Sequence, residues 1–246
     1  MPSARINERS SKVKFTGFSA LYIGLLFVLW FNTSAMAGKN RMINQEVFEQ
    51  VLAASLANDI ANITQFAKAG QLDALDSNGL SAVLHTLMQN RLDALQMLLN
   101  AGADPDAFDP ESSKHVIDQT AFLYAGATGN NAALKILIKA GARADIYNYY
   151  GGTALIPAAE KGHVDTVRLL LKESNVDINH VNKLGWTALL EAVILSDGGK
   201  THQQIIALLL QSGADPAFAD RDGVTALQHA QSKGYSEIIK LIAANP

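Results

Sequence analysis

Thr187-Ala-Leu-Leu-Glu-Ala-Val193 decides the reading of this chain, because the pattern recurs. Thr153-Ala-Leu-Ile-Pro-Ala-Ala159, Thr225-Ala-Leu-Gln-His-Ala-Gln231 and Thr120-Ala-Phe-Leu-Tyr-Ala-Gly126 repeat it, and Ser81-Ala-Val-Leu-His-Thr-Leu87 is a looser fifth copy. Their leading hydroxyl residues are spaced by 39, 33, 34 and 38 positions. A second series stays in phase with the first: Met97-Leu-Leu-Asn-Ala-Gly-Ala103, Ile136-Leu-Ile-Lys-Ala-Gly-Ala142, Leu169-Leu-Leu-Lys-Glu-Ser-Asn175 and Leu208-Leu-Leu-Gln-Ser-Gly-Ala214. A period of about 20 to 50 residues marks an architecture in which each unit buries its apolar face only against its neighbours.

Each unit reads as two short helices joined by a tight turn, then an exit and an extended segment. The leading Ser81, Thr120, Thr153, Thr187 and Thr225 are N-cap candidates, since a hydroxyl there accepts a backbone N–H that has no partner in the helix. Small residues such as Ala158 and Ala159 allow paired helices to approach closely. Gly129, Gly162, Gly234 and Asn90 fall at the inter-helix turn, Gly102, Gly141 and Gly213 at the end of the second helix, and Gly79, Gly151, Gly185 and Gly223 at a hairpin tip, all places that favour a left-handed residue. Glu46 to Ala57 with Ile60 to Ala69 reads as a polar-faced helix pair opening the stack, and Ala226 to Ala243 as one closing it.

From about residue 44 onward the sequence resembles the ankyrin-repeat family, whose motif opens the first helix with Thr-Pro-Leu-His and closes the second with Leu-Leu-x-x-Gly-Ala. The resemblance implies an all-α repeat solenoid of helix-turn-helix pairs joined by β-hairpin fingers, about six units including atypical terminal caps. The expected layout is a capping helix pair in 38–75, four repeats in 76–219 and a C-terminal capping repeat in 220–246. All five copies carry Ala where the family favours Pro, and none has His in the family's usual place, which implies a weaker side-chain network between turns. Asp109-Pro-Glu-Ser-Ser-Lys114 lengthens one finger, and Ser196-Asp-Gly-Gly-Lys-Thr-His-Gln-Gln204 adds an excess between two helices. With Leu184-Gly-Trp-Thr-Ala-Leu-Leu-Glu-Ala-Val193, this pattern is similar to exported bacterial ankyrin-repeat proteins.

Residues 1–37 have a different character. Arg5, Arg9, Lys12 and Lys14 against one Glu8 precede an uncharged apolar run from Phe15 to Phe31 and then Ala35-Met-Ala37. This is the layout of a secretory signal peptide, with cleavage expected between Ala37 and Gly38. The alternative is an uncleaved inner-membrane anchor facing the periplasm, although Thr16 to Phe31 falls short of the roughly 20 residues that span a bilayer. The leader holds four of the 20 basic and one of the 23 acidic residues, so its removal leaves 16 against 22, a net charge of −6. The expected location is periplasmic or secreted.

Composition excludes several classes. An apolar content of 48% supports a packed core and rules out global disorder. With no cysteine, disulfide scaffolds, Cys-ligated zinc, iron–sulfur clusters and thiol catalysis are all excluded. A net charge of −3 lacks the basic excess of a nucleic-acid binder. Gly199-Lys200-Thr201 imitates the end of a P-loop, but position 194, where that motif needs Gly, is Ile. Those residues are expected in an exposed inter-helix loop. No two of the six histidines stand at i, i+3 or i, i+4, so a helical metal site is not indicated. Asp104, Asp177 and Asp215 recur in register after the second helix, which points to turn formation.

What remains is recognition. In the family the resemblance names, fingers and first helices line a concave groove. Mapping its exposed places onto this chain gives Val116, Ile117, Tyr149, Tyr150, Leu184, Trp186, Ile194 and Leu195 on neighbouring units. Aromatic and apolar residues at solvent-facing places are what binding surfaces use. The reading is therefore an exported, non-catalytic interaction module or scaffold with a protein partner of unknown identity. No cofactor, small-molecule substrate or nucleic acid is expected, and membrane contact only through an unprocessed leader. A secreted effector engaging a host protein and an enzyme with a site in the two insertions are the alternatives.

Overall fold

The computed structural model describes residues 43–245, all within one compact unit. The expected leader and its cleavage point at Ala37 and Gly38 lie outside the described residues. Among the described residues there are twelve helices in six pairs. The first pair is α1 (Gln45–Leu56) and α2 (Ile60–Lys68), followed by α3 (Ala82–Met88) with α4 (Leu92–Asn100) and α5 (Ala121–Thr128) with α6 (Asn131–Lys139). Then come α7 (Leu155–Glu160) with α8 (Val164–Glu173), α9 (Ala188–Ile194) with α10 (Lys200–Gln211), and α11 (Ala226–Lys233) with α12 (Ser236–Ala243). Extended structure among these residues is limited to isolated bridges such as Leu80 to Phe108 and Ala219 to Thr225. The fold is an all-helical ankyrin-type solenoid.

The caps explain where the first helices begin. The Ser81, Thr120, Thr187 and Thr225 hydroxyls accept from the backbone N–H of Leu84, Leu123, Leu190 and Gln228. Each capping residue's carbonyl accepts from the N–H one residue further on, at His85, Tyr124, Glu191 and His229. Thr153, expected to behave the same way, does not. The residue at its fourth following position is Pro157, which has no N–H to give. Ile156 N–H therefore bonds the Thr153 carbonyl at 3.3 Å, α7 starts only at Leu155 without a side-chain cap, and the buried Thr153 Oγ1 has no partner among the described residues.

Consecutive first helices pack on one another, and so do the second helices from α4 onward. Phe122, Leu123, Leu134, Leu137, Leu155, Leu170 and Leu189 are fully buried between them. Small residues set the spacing: a Cβ on Gly126 of α5 would lie 2.7 Å from the Ala154 Cβ of the next unit, closer than carbon atoms tolerate. Along the other edge, the Asp104, Asp177 and Asp215 carboxylates accept from the N–H two residues on, the expected turn. Units are also tied across this edge, as where Asp215 N–H donates to Asn179 Oδ1 at 2.9 Å.

The 196–204 stretch departs from expectation. It is not a free loop, because α10 begins at Lys200 and its flanks are held. Tyr235 of the last unit donates its hydroxyl to Ser196 O at 2.7 Å, and Gly198 lies so close beneath the same ring that a Cβ there would meet Cδ1 at 2.6 Å. Gln203 Nε2 donates to Gly198 O at 2.7 Å. The six inserted residues 109–114 fold as turns, with Ser113 fully buried and its hydroxyl donating to Asp109 O at 2.6 Å.

Candidate functional site

Four fingers share one local device built on Asx-x-x-Gly: Asp76 to Gly79, Asn148 to Gly151, Asn182 to Gly185 and Asp220 to Gly223. In each, the Asx Oδ1 accepts from the backbone N–H groups two and four residues on, for example Asn148 from Tyr150 and Gly152 at 3.0 and 2.9 Å. The glycine supplies the left-handed turn that closes the loop, as at Gly151 with φ 73°. Adjacent fingers are then laced by backbone bonds, Tyr149 N–H to Ile117 O and Lys183 N–H to Tyr150 O. This fixes the tip residues 149–150 and 183–184 on a rigid edge.

In three of the four, the second polar atom of the Asx reaches the first helix nine residues later. His85 Nε2 is 2.9 Å from Asp76 Oδ2, His229 Nε2 is 2.7 Å from Asp220 Oδ2, and Asn182 Nδ2 donates to Glu191 Oε1 at 2.8 Å. These links run from finger to helix and use the residue after the family's histidine position. In the fourth unit that helix place is Pro157, which offers no polar atom. Asn148 Nδ2 instead turns to Asp118 Oδ1 of the preceding finger, 3.4 Å away.

Beside that proline lies a cavity of about 260 Å³ lined by Asn148, Tyr150, Ile156, Pro157, Glu160, Asn182, Leu184, Glu191 and Leu195, with Gly152. It sits between fingers and first helices of the fourth and fifth units. Its floor carries Glu191, only 5% exposed. Burial, reinforced by the nearby Glu160 charge and partly offset by the Asn182 hydrogen bond, pushes the Glu191 carboxyl up to about 7. Burial also raises Asp118, against the Asn148 hydrogen bond and the attraction of Lys161.

The expected recognition residues are distributed as follows. Tyr149 and Tyr150 are 48% and 45% exposed, their rings edge to face at 5.2 Å. The Lys183 ammonium lies 5.5 Å from the Tyr149 ring centre and donates to Tyr149 O. Ile117, Leu184 and Leu195 are exposed as well. Val116, Trp186 and Ile194 are half-buried, and Trp186 and Ile194 pack against the core, so these last two differ from the solvent-facing placement expected of them. Tyr150, Leu184 and Leu195 meet at the cavity, whereas Val116 and Ile117 lie outside its lining. Sequence reasoning missed Asn148, Asn182, Glu160 and Glu191. The nine-residue pairing of an Asx with a helix polar residue, broken at Pro157, was the available signal.

Among the described residues no group of three or more His, Asp or Glu is placed to hold a metal ion, and no helix is long and apolar enough to cross a membrane. A family model described as ankyrin repeats (3 copies) matches residues 108–182 and 174–246. The ankyrin repeat protein YahD of Escherichia coli (strain K12) is 33% identical over 194 residues, covering 78% of this chain and 94% of YahD. A crystal structure of an ankyrin repeat domain from Acinetobacter baumannii AYE superposes with a TM-score of 0.70 at 46% identity, covering 79% of this chain and 96% of that one. The ankyrin repeat protein EF0377 superposes with a TM-score of 0.68 at 35% identity, over 81% of this chain and 98% of that one. The phased helix pairs, the Asx-anchored fingers and these matches make the chain a member of the ankyrin-repeat family, whose repeats indicate a protein–protein interaction module.

Proposed function

We propose that this protein is an exported, non-catalytic ankyrin module that docks a protein partner on the face made by its fingers and first helices, centred on the fourth and fifth units. The observation that carries the reading is the Tyr149–Tyr150 pair. Two large aromatic rings stand half-exposed on a finger whose backbone is already fixed by Asn148 and by its neighbours, so docking on them orders little further chain. Tyr is enriched at such contacts because it offers large area with few rotatable bonds. Export rests on the cationic, apolar and small-residue order of residues 1–37.

The test is capture of a partner from the native envelope with wild-type protein, followed by affinity measurement on Tyr149→Ala with Tyr150→Ala. Binding is expected to weaken by about 1 to 4 kcal/mol while the melting temperature barely moves, as for exposed contact residues. Arg168→Ala with Lys172→Ala, on the outer helix α8, serves as the matched control and should bind normally. Equal binding by the tyrosine variant, or loss in the α8 variant alone, contradicts the reading. Export is tested by N-terminal sequencing, where Gly38 is the expected first residue and recovery of Met1 contradicts it.

A further inference from the structure

The cavity between the fourth and fifth units combines an apolar mouth with a polar interior. Its mouth is apolar, formed by Tyr150, Leu184 and Leu195, with Ile156 and Pro157 on the wall. Its polar interior is acidic, and no Lys or Arg among the described residues lines it. Glu160 forms no ion pair among the described residues. Glu191 uses Oε1 for Asn182, and its Oε2 makes no hydrogen bond among the described residues. Asp118, the next carboxylate along the same face, is held by Asn148 and lies near Lys161.

We propose that this cavity receives a basic side chain, arginine or lysine, from the protein partner, with the cation between Glu160 and Glu191 and the aliphatic stem against Tyr150, Leu184 and Leu195. The inference rests on the groove reading and adds the chemistry of the anchor. Charge selects the occupant: an apolar side chain would seal two carboxyl groups from water without compensation, and an acidic one would add further negative charge beside them. A cation restores what burial takes from Glu191, and a long stem suits an apolar mouth because Lys and Arg bury their methylenes while the head group stays polar. Size agrees with one side chain, since about 260 Å³ falls below the roughly 300 to 1,000 Å³ that enclose small-molecule ligands. Position agrees too, because the mouth opens beside the Tyr149–Tyr150 finger where the rest of the partner would lie.

The probe is the capped peptide acetyl-Ala-Leu-Arg-Leu-Ala-amide, compared with the same peptide carrying citrulline, which keeps shape and loses charge. Both are titrated into the purified full chain to about 10 mM, a range in which the contribution of a single side chain is still visible. Amide resonances of Tyr150, Gly152 and Leu184 and the side-chain carboxyl carbon of Glu191 are followed. The expected result is that the arginine peptide moves these signals and binds at least about tenfold more tightly than the citrulline peptide, and that Glu160→Gln and Glu191→Gln each reduce the difference. Gln keeps the shape of Glu, and the same spectra report whether each variant is folded. Equal binding of both peptides, shifts confined to other units, or no arginine-dependent shift overturns the proposal. If the tyrosine pair governs partner affinity while the charge swap changes nothing, the groove reading stands and the basic anchor fails. If arginine binds in the cavity while the captured partner ignores both tyrosines, the cation site stands and the groove reading fails.

Discussion

The fourth and the last units begin with nearly the same words, Thr153-Ala-Leu and Thr225-Ala-Leu, yet they are wired differently. In the last unit the Thr225 hydroxyl caps α11, Gln228 reaches back to the Thr225 N–H to complete a capping box, and His229 meets Asp220 at 2.7 Å. Thr225, Gln228, His229 and Asp220 are thus all linked at that junction. In the fourth unit one proline, at the place of His229, removes an N–H and a polar side chain together. Thr153 loses its cap, Asn148 turns to another finger, and a cavity remains where the second, fifth and sixth units have a finger-to-helix link. The contrast shows that local polar satisfaction and an open cavity compete for the same positions, and that the unit with the imperfect wiring is the one beside the exposed tyrosines.

The strongest way to sharpen this comparison is to test what the two units share, a buried aliphatic core. Leu170 of α8 and Ile238 of α12 are both fully buried. Leu170→Ala, with neighbours on both sides, should cost about 2 to 5 kcal/mol in urea unfolding. Ile238→Ala should instead fray the last pair and move the main transition less, because an end unit has one interface. Equal shifts of the main transition would mean that the stack behaves as a single core.

Next in size is the acidic floor. The Glu191 carboxyl is raised from the usual 4.5 to about 7 in the folded protein, so the folded state holds that proton more tightly than the unfolded chain. This contribution is fully present below about pH 4.5 and is lost as the pH rises through 7, a change on the order of 3 kcal/mol. Glu191→Gln should therefore be the more stable protein at pH 8 and equal to wild type near pH 4.5. Urea midpoints at the two pH values decide it, and a variant gap that does not change with pH contradicts the assignment.

The smallest effects are the most specific to the contrast. Thr225→Val removes a working cap and should cost about 1 kcal/mol. Thr153→Val removes an orphaned buried hydroxyl and should leave stability unchanged or raise it by up to about 1 kcal/mol. A loss at Thr153 as large as that at Thr225 would show that its hydroxyl does have a partner.

Much of the fold was legible because the repeated hydroxyl residues and the Leu-rich helix ends are local signals. Ser81, Thr120, Thr187 and Thr225 cap where the sequence says they should. Thr153 escaped because a cap depends on residues after it, and Pro157 acts four positions downstream. The 196–204 stretch read as a loop because its hold, Tyr235, comes from another unit. Tyr149 and Tyr150 stood out as large rings beside a hairpin glycine. Glu191 did not, since a single Glu on a short helix looks like a solvated residue until Asn182, nine positions earlier, folds back onto it. The cavity is invisible in sequence because it is the absence of a side chain at Pro157, seen only against its counterparts Glu191 and His229.

The central claim is that the partner docks on fingers and first helices of the fourth and fifth units. Amide hydrogen exchange of the protein, free and with the captured partner, tests it most directly. Slowed exchange is expected in residues 147–152 and 182–186 and in α7 and α9, with α8 and α10 unchanged. Protection confined to the outer helices α8 and α10, with the fingers exchanging as in the free protein, would contradict the account.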